Sequence, residues 1–270
     1  MLLSPGGETE PPEPPRRAGP PDIGLPGAVD PRRDHQDAVV IFDHDGVLVD
    51  SIQADFLAWS TLFAEWGVEL PTQVWARACG LPLGGEALLE RLASTSPRAG
   101  DKERLRDRLS ELWDLFLTPD NVTVVPGVPE FLTHLSAAGF RLAVASAASR
   151  NWVGRWLRHY DLAHHFETVV GADDVPAAKP DPAVYLEAAR RLGVAPAACV
   201  AFEDSLAGVA AAKAAGMTVV AVPTPLTRAL DYSAADHVVR QLADVPPHLL
   251  RPHSLRAPAP EPDHQQVEVS

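Results

Sequence analysis

Six short apolar runs recur through the middle of the chain, at Ala38–Phe42, Arg141–Ala145, Thr168–Gly171, Cys199–Phe202, Thr218–Val222 and His237–Val239. Each is nearly continuous in apolar residues rather than alternating, as in strands buried on both faces of a parallel sheet. Stretches with helical spacing lie between them, at Pro129–Ala138, Asn151–Tyr160, Ala183–Leu192 and Ser205–Ala215. Gly139, Gly193 and Gly216 sit where C-terminal helix caps belong. Alternating strand and helix predict an α/β fold with a doubly wound, mainly parallel sheet. Ser51 to Asn121 breaks the rhythm with helical patterns alone, at Ile52–Trp66, Gly85–Leu92 and Asp101–Phe116. That insert predicts a small helical bundle beside the sheet. The expected organisation is an α/β core over 38–50 and 122–243, interrupted by a helical cap domain over 51–121.

Composition changes the picture mainly at the ends. Of 27 prolines in 270 residues, nine fall in Met1–Asp37 and six in Asp244–Ser270. Both segments lack apolar periodicity and are expected to be disordered tails, because they cannot bury enough surface to offset their ordering entropy. Pro11-Pro12-Glu13-Pro14-Pro15 has the makings of a polyproline II ligand for a partner, although composition favours an inert tail. Lys and Arg total 23 against 36 Asp and Glu, a net charge of −13. That balance argues against a nucleic-acid or anionic-membrane binder. Two cysteines, Cys79 and Cys199, are too few for a disulfide framework and fit a reducing compartment. With no apolar run of about 20 residues and no basic start before an apolar stretch, a cytoplasmic location is expected.

In a doubly wound sheet, ligands bind beyond the carboxyl ends of the strands. The first strand runs into Asp43-His44-Asp45-Gly46, and residues 43 and 45 leave the strand end on the same side. Two close carboxylates resist joint ionisation, which favours different roles for them or a shared cation. The next informative end carries Ser146, a hydroxyl followed by Ala147 and Ala148 and then a helix, suited to an oxyanion. Ser149 reads as that helix's N-cap. Lys179 precedes Pro180-Asp181-Pro182, and taken alone is an ordinary loop lysine. Glu203 and Asp204 end the strand Cys199–Phe202, where adjacent acids must bind a cation or cap the following helix. An oxygen-only donor set favours Mg²⁺ over Zn²⁺.

Asp43-His44-Asp45-Gly46-Val47-Leu48-Val49-Asp50-Ser51, Ser146, Lys179-Pro180-Asp181-Pro182 and Phe202-Glu203-Asp204-Ser205-Leu206-Ala207-Gly208 occur in that order. Each is weak alone; the ordered set resembles the haloacid dehalogenase-like hydrolases over about residues 38–243. The likeness is to the β-phosphoglucomutase and phosphoglycolate-phosphatase branch, with a Rossmann-like core and a helical cap. The resemblance implies phosphoryl transfer through an aspartyl-phosphate, with Asp43 as nucleophile and Asp45 as general acid and base. It implies Mg²⁺ among Asp43, the backbone carbonyl of Asp45, Asp204 and Glu203, and a phosphate held by Ser146, Lys179 and the amides of His44 and Ala147. Dehalogenases of the superfamily lack the second aspartate, so Asp45 favours phosphate chemistry. His44 stands where relatives usually carry an apolar residue, and its side chain is expected to point away from the site.

The cap would choose the substrate by closing over the phosphate. Asp55, Trp59, Arg77 and the loop 79–85 are the candidate contacts, with Trp59 and Trp75 expected rather in the cap's own core. The mutases of this branch place a histidine where Asp55 stands and an arginine in the cap loop. The resulting expectation is a Mg²⁺-dependent phosphatase for a small phosphorylated metabolite, of sugar phosphate or phosphoglycolate type. A sugar phosphomutase and a catalytically idle partner-binding protein are the alternatives.

Overall fold

The structure is a computed structural model and describes residues 39–79, 81, 83–96 and 101–250. The expected N-terminal tail, and the expected C-terminal tail beyond residue 250, lie outside the described residues. The chain forms β1 (Val39–Phe42), β2 (Val49–Asp50), α1 (Ile52–Glu65), α2 (Thr72–Ala78), α3 (Gly84–Thr95) and α4 (Lys102–Phe116). Then come β3 (Thr123–Val124), α5 (Val128–Ala137), β4 (Arg141–Ala145), α6 (Arg150–His159) and β5 (Thr168–Val170). The last elements are α7 (Ala183–Leu192), β6 (Cys199–Glu203), α8 (Leu206–Ala214), β7 (Thr218–Ala221) and β8 (His237–Val238).

Six of these strands make one parallel sheet in the order β5-β4-β1-β6-β7-β8. This is the Rossmann order, with its switch point at β1, which pairs with β4 on one side and β6 on the other. Residue alternation sends Val40, Phe42, Val144 and Phe202 to one face, packed with Leu132, Leu135 and Trp156. Phe42 stacks on Phe202 with centroids 5.2 Å apart. Val39, Ile41, Ala143 and Ala201 go to the other face, where Tyr185, Ala188, Ala211 and Ala212 meet them. Burying a side chain such as Ile41 contributes about 2 kcal/mol.

Helices α1 to α4 enclose a separate apolar cluster that includes Leu62, Phe63, Leu92, Leu105 and Leu112, with Trp59 and Trp75 inside it. β2 and β3 pair antiparallel, Val49 with Val124, where the chain leaves for these helices and returns. Two-residue strands carry no readable alternation, so this ribbon and the short helix α2 go beyond the sequence expectation. A correction applies at the other end: the chain stays packed past Asp244. Leu249 and Leu250 are buried in the core on the face of Val40 and Phe42, because this apolar pair follows Pro247 in a 3-10 turn that docks it. Among the described residues no helix is long and apolar enough to cross a membrane.

Candidate active site

The carboxyl ends of β1, β4 and β6 bring Asp43, Ser146, Glu203 and Asp204 to the switch point. The amide of Asp43 donates to the carbonyl of Phe202 at 2.9 Å, fixing the first residue beyond β1 against β6. The chain then curls so tightly that the amide of Gly46 donates to Val49 at 2.8 Å. Gly46 has φ +85°, and a Cβ there would lie 2.1 Å from Asp204 Oδ2. Glycine is required on both counts. Asp43, Glu203 and Asp204 are buried and offer carboxylate oxygens all within 4.8 Å of one another.

Lys179, the loop lysine that meant little alone, is 2% exposed and reaches into this cluster. Its ammonium donates to Asp43 Oδ1 at 2.9 Å, Glu203 Oε1 at 2.6 Å and the Ala145 carbonyl at 3.0 Å. The Tyr185 hydroxyl donates to the same Glu203 oxygen at 2.6 Å. The other oxygen of Glu203 accepts from the amides of Asp204 and Ser205 and from the Ser205 hydroxyl, at 3.1, 3.2 and 3.1 Å. Both oxygens of Glu203 are thus engaged within the protein, whereas Asp43 and Asp204 keep oxygens facing each other. Burial would strip the proton from Lys179, but the two carboxylates beside it raise its pKa above the ordinary value. Burial pushes Asp43 up to about 7 despite Lys179, helped by the charges of Glu203 and Asp45. Asp204 is raised well above the carboxylate range by burial and by Asp43 and Glu203. Three carboxyl groups crowded around one lysine form an oxygen-only set in which Asp43 and Asp204 resist ionising together, which fits a hard divalent cation such as Mg²⁺.

Asp45 points the other way, into a cavity of about 380 Å³ between sheet and helices. Its Oδ1 accepts from the Ser51 hydroxyl and from Trp152 Nε1, the latter at 3.0 Å. His44 departs from the expectation that it faces away. Its ring is fully buried, with Nδ1 3.2 Å from Asp45 Oδ2. Among the described residues neither ring nitrogen has a partner of good hydrogen-bond geometry, and Asp45 is the polar group the ring approaches. Burial favours a neutral Asp45, but His44, Ser51 and Trp152 together hold its carboxyl below the ordinary value. Ser146 is 1% exposed; its oxygen accepts from the amide of Ala148 at 3.0 Å, leaving the hydroxyl proton to donate. Ala147 is exposed beside it.

Asp55 lines the same cavity, its carboxylate pinned by Trp113 Nε1 at 2.8 Å and Trp75 Nε1 at 3.0 Å. Burial lifts its pKa to about 6 against the pull of the two indoles, with Asp45 adding to the rise. Arg77 is not brought to this cavity. It is exposed and lines a separate groove between α2 and α3, because the helix turns its side chain outward. Trp152, Trp113 and Tyr185 are the contacts that sequence reasoning missed. The available signal for the first was an aromatic residue in the opening turn of the helix after Ser146.

A Rossmann-ordered sheet that gathers carboxylates and a buried lysine at its switch point, roofed by helices, is the architecture of an enzyme. The family model of the haloacid dehalogenase-like hydrolases matches residues 38–216, and the chain belongs to that family. It is 32% identical to the β-phosphoglucomutase of Bacillus subtilis over 219 residues, covering 78% of this chain and 92% of that protein. The phosphorylated carbohydrates phosphatase of Thermotoga maritima is 33% identical over 180 residues, covering 66% and 81% respectively. A crystal structure of CbbY from Rhodobacter sphaeroides with xylulose-1,5-bisphosphate superposes with a TM-score of 0.61 at 25% identity, covering 79% of this chain and 99% of that one.

Proposed function

We propose that this enzyme is a Mg²⁺-dependent phosphatase that hydrolyses a small phosphorylated metabolite, of sugar phosphate or phosphoglycolate type. The observation that carries the proposal is the division of labour between two aspartates on one loop. Asp43 faces Lys179 and Asp204, whereas Asp45 faces the open cavity. An oxygen of Asp43 attacks phosphorus, the bond to the leaving oxygen breaks, and Asp45 donates a proton to that oxygen. Asp45, now a carboxylate, takes a proton from water, whose oxygen attacks phosphorus and releases Asp43 and inorganic phosphate. For the first step Asp45 exchanges Ser51 and Trp152 for the leaving oxygen, and the phosphate's negative charge raises its hold on a proton. Ser146 and the amide of Ala147 donate to phosphate oxygens. Lys179, whose three protons are already met, orients Asp43 and shares a proton with the incoming phosphate. Asp43 and Asp204 would hold Mg²⁺, with the carbonyl of Asp45 beside them and Glu203 steadying the cluster. When bound, the cation offsets the charge that develops on the phosphoryl oxygens.

The mutase reading comes from the β-phosphoglucomutase relative. It requires a cationic seat for a second phosphate, and here the cavity presents Asp55 while Arg77 lies in another groove. Water is therefore the acceptor. Phosphorus NMR of a β-hexose 1-phosphate with the enzyme and Mg²⁺ tests this. Free phosphate is expected, and clean conversion to the 6-phosphate would instead establish a mutase.

A further inference from the structure

The cavity in front of Asp45 has one polar wall and several apolar ones. Ile52, Leu117, Trp113 and Trp152 supply the apolar surface. Its volume of about 380 Å³ lies toward the small end for ligand cavities. Among the described residues that line it there is no lysine, arginine or histidine. Its charged groups are Asp45 and Asp55.

Asp55 is held as a fixed acceptor. Each carboxylate oxygen takes one indole proton, from Trp113 and from Trp75, so the group cannot rotate away. Each oxygen keeps a further lone pair for a ligand donor. Both indoles are themselves packed: Trp75 is buried in the helical cluster, and Trp113 meets Trp59 edge-on at 6.2 Å. A carboxylate that is braced this firmly and has no cationic partner in the cavity sorts ligands by charge. A hydroxyl or ammonium on the leaving group finds an acceptor already oriented. A carboxylate or second phosphate finds two acids, apolar walls and no donor with positive charge.

We infer that this cavity accepts phosphate monoesters whose leaving alcohol carries hydrogen-bond donors and no second anion, such as polyol or amino-alcohol monophosphates, and that Asp55 sets this preference. The inference rests on the phosphatase reading and narrows it, since phosphoglycolate and bisphosphates fall on the rejected side.

The test uses the full chain with Mg²⁺ and five probes: sorbitol 6-phosphate, phosphoethanolamine, phosphoglycolate, fructose 1,6-bisphosphate and p-nitrophenyl phosphate. The last has neither donor nor second anion on its leaving group and reports phosphatase chemistry alone. For at least one of the first two, kcat/KM should exceed that for phosphoglycolate and the bisphosphate by about 100-fold. Whichever of the two is better identifies the donor as hydroxyl or ammonium. In Asp55→Asn that ratio should shrink about tenfold or more, chiefly through KM, because a neutral amide no longer repels the anions. Should the variant fail to fold, the wild-type ratio decides on its own. Equal or better turnover of phosphoglycolate or the bisphosphate, with p-nitrophenyl phosphate hydrolysed, would overturn the inference and leave the phosphatase standing. No phosphate release from any probe would remove the phosphatase reading and this inference with it.

Discussion

Lys179 has four acceptors around its three protons, the Tyr185 hydroxyl at 3.4 Å being the most distant, and two of them are the carboxylates of Asp43 and Glu203. That arrangement makes the consequences of single substitutions specific. Asp43→Asn keeps the shape but removes the charge of the proposed nucleophile, so turnover should fall by about 10⁴-fold or more while circular dichroism is unchanged. Near-normal activity in the folded variant would exclude the covalent mechanism. Asp55 makes a different prediction. Its folded pKa of about 6 lies above the ordinary 3.8, so the folded state binds this proton more tightly than the unfolded one. The contribution is stabilising at low pH and disappears as pH rises from about 4 through 6. Between pH 4 and 7, denaturant titrations should show Asp55→Asn gaining about 2 kcal/mol relative to wild type. A constant difference across that range would show that Asp55 is not buried as a charge. At this scale the strand-end residues were legible, because alternation and strand polarity dictate which side chains leave the sheet together. Trp152 was not, since its partner Asp45 lies 107 positions away and only the packed fold brings them together. His44 misled for a different reason: strand alternation, which sends it away from residues 43 and 45, ends where the loop closes, and there its buried ring lies 3.2 Å from the Asp45 carboxylate.

At the scale of elements, α8 begins where Glu203 needs room. Ser205 caps the helix by accepting from the amide of Gly208 at 3.0 Å. A Cβ on Gly208 would sit 1.7 Å from Glu203 Oε1. Helix propensity alone favours Gly208→Ala by about 1 kcal/mol, yet the variant should be less stable and much less active, because displaced Glu203 no longer positions Lys179. A rise in melting temperature with full activity would refute this placement. The C-terminal turn gives a second test. Truncation after residue 250 keeps Leu249 and Leu250, whereas truncation after 244 removes both from the core. The shorter form should lose about 3–5 kcal/mol in urea unfolding relative to the longer one. Equal midpoints would mean that the pair contributes nothing to the core. The parallel strands and their helices were readable because buried apolar runs and flanking caps repeat. The two-residue ribbon, α2 and the last apolar turn were not, being too short for any period or surrounded by proline.

For the molecule as a whole, the proposed function makes the buried acids at the switch point the place where metal binding, stability and turnover should be coupled. Excess chelator should abolish phosphate release, and Mg²⁺ should restore it. At about 100 times its dissociation constant, Mg²⁺ should add about 2.7 kcal/mol of stability. Asp204→Ala should shift that Mg²⁺ dependence to higher concentration, read by calorimetry as well as by rate. Undiminished activity in chelator would contradict the site. One further consequence lies in the ribbon where Val49 pairs with Val124. The chain departs from the sheet and comes back to it through neighbouring, hydrogen-bonded strands. The helices between them are therefore joined to the sheet covalently at this one neck, while Ala54 and Val122 also pack in the core on the Phe42 face. Such a segment can be exchanged between homologues without rethreading the sheet. Grafting a relative's residues between positions 50 and 123 should then carry that relative's substrate range onto this chain's own phosphoryl chemistry. Loss of p-nitrophenyl phosphate hydrolysis in a folded graft would show that the two parts cannot be exchanged separately.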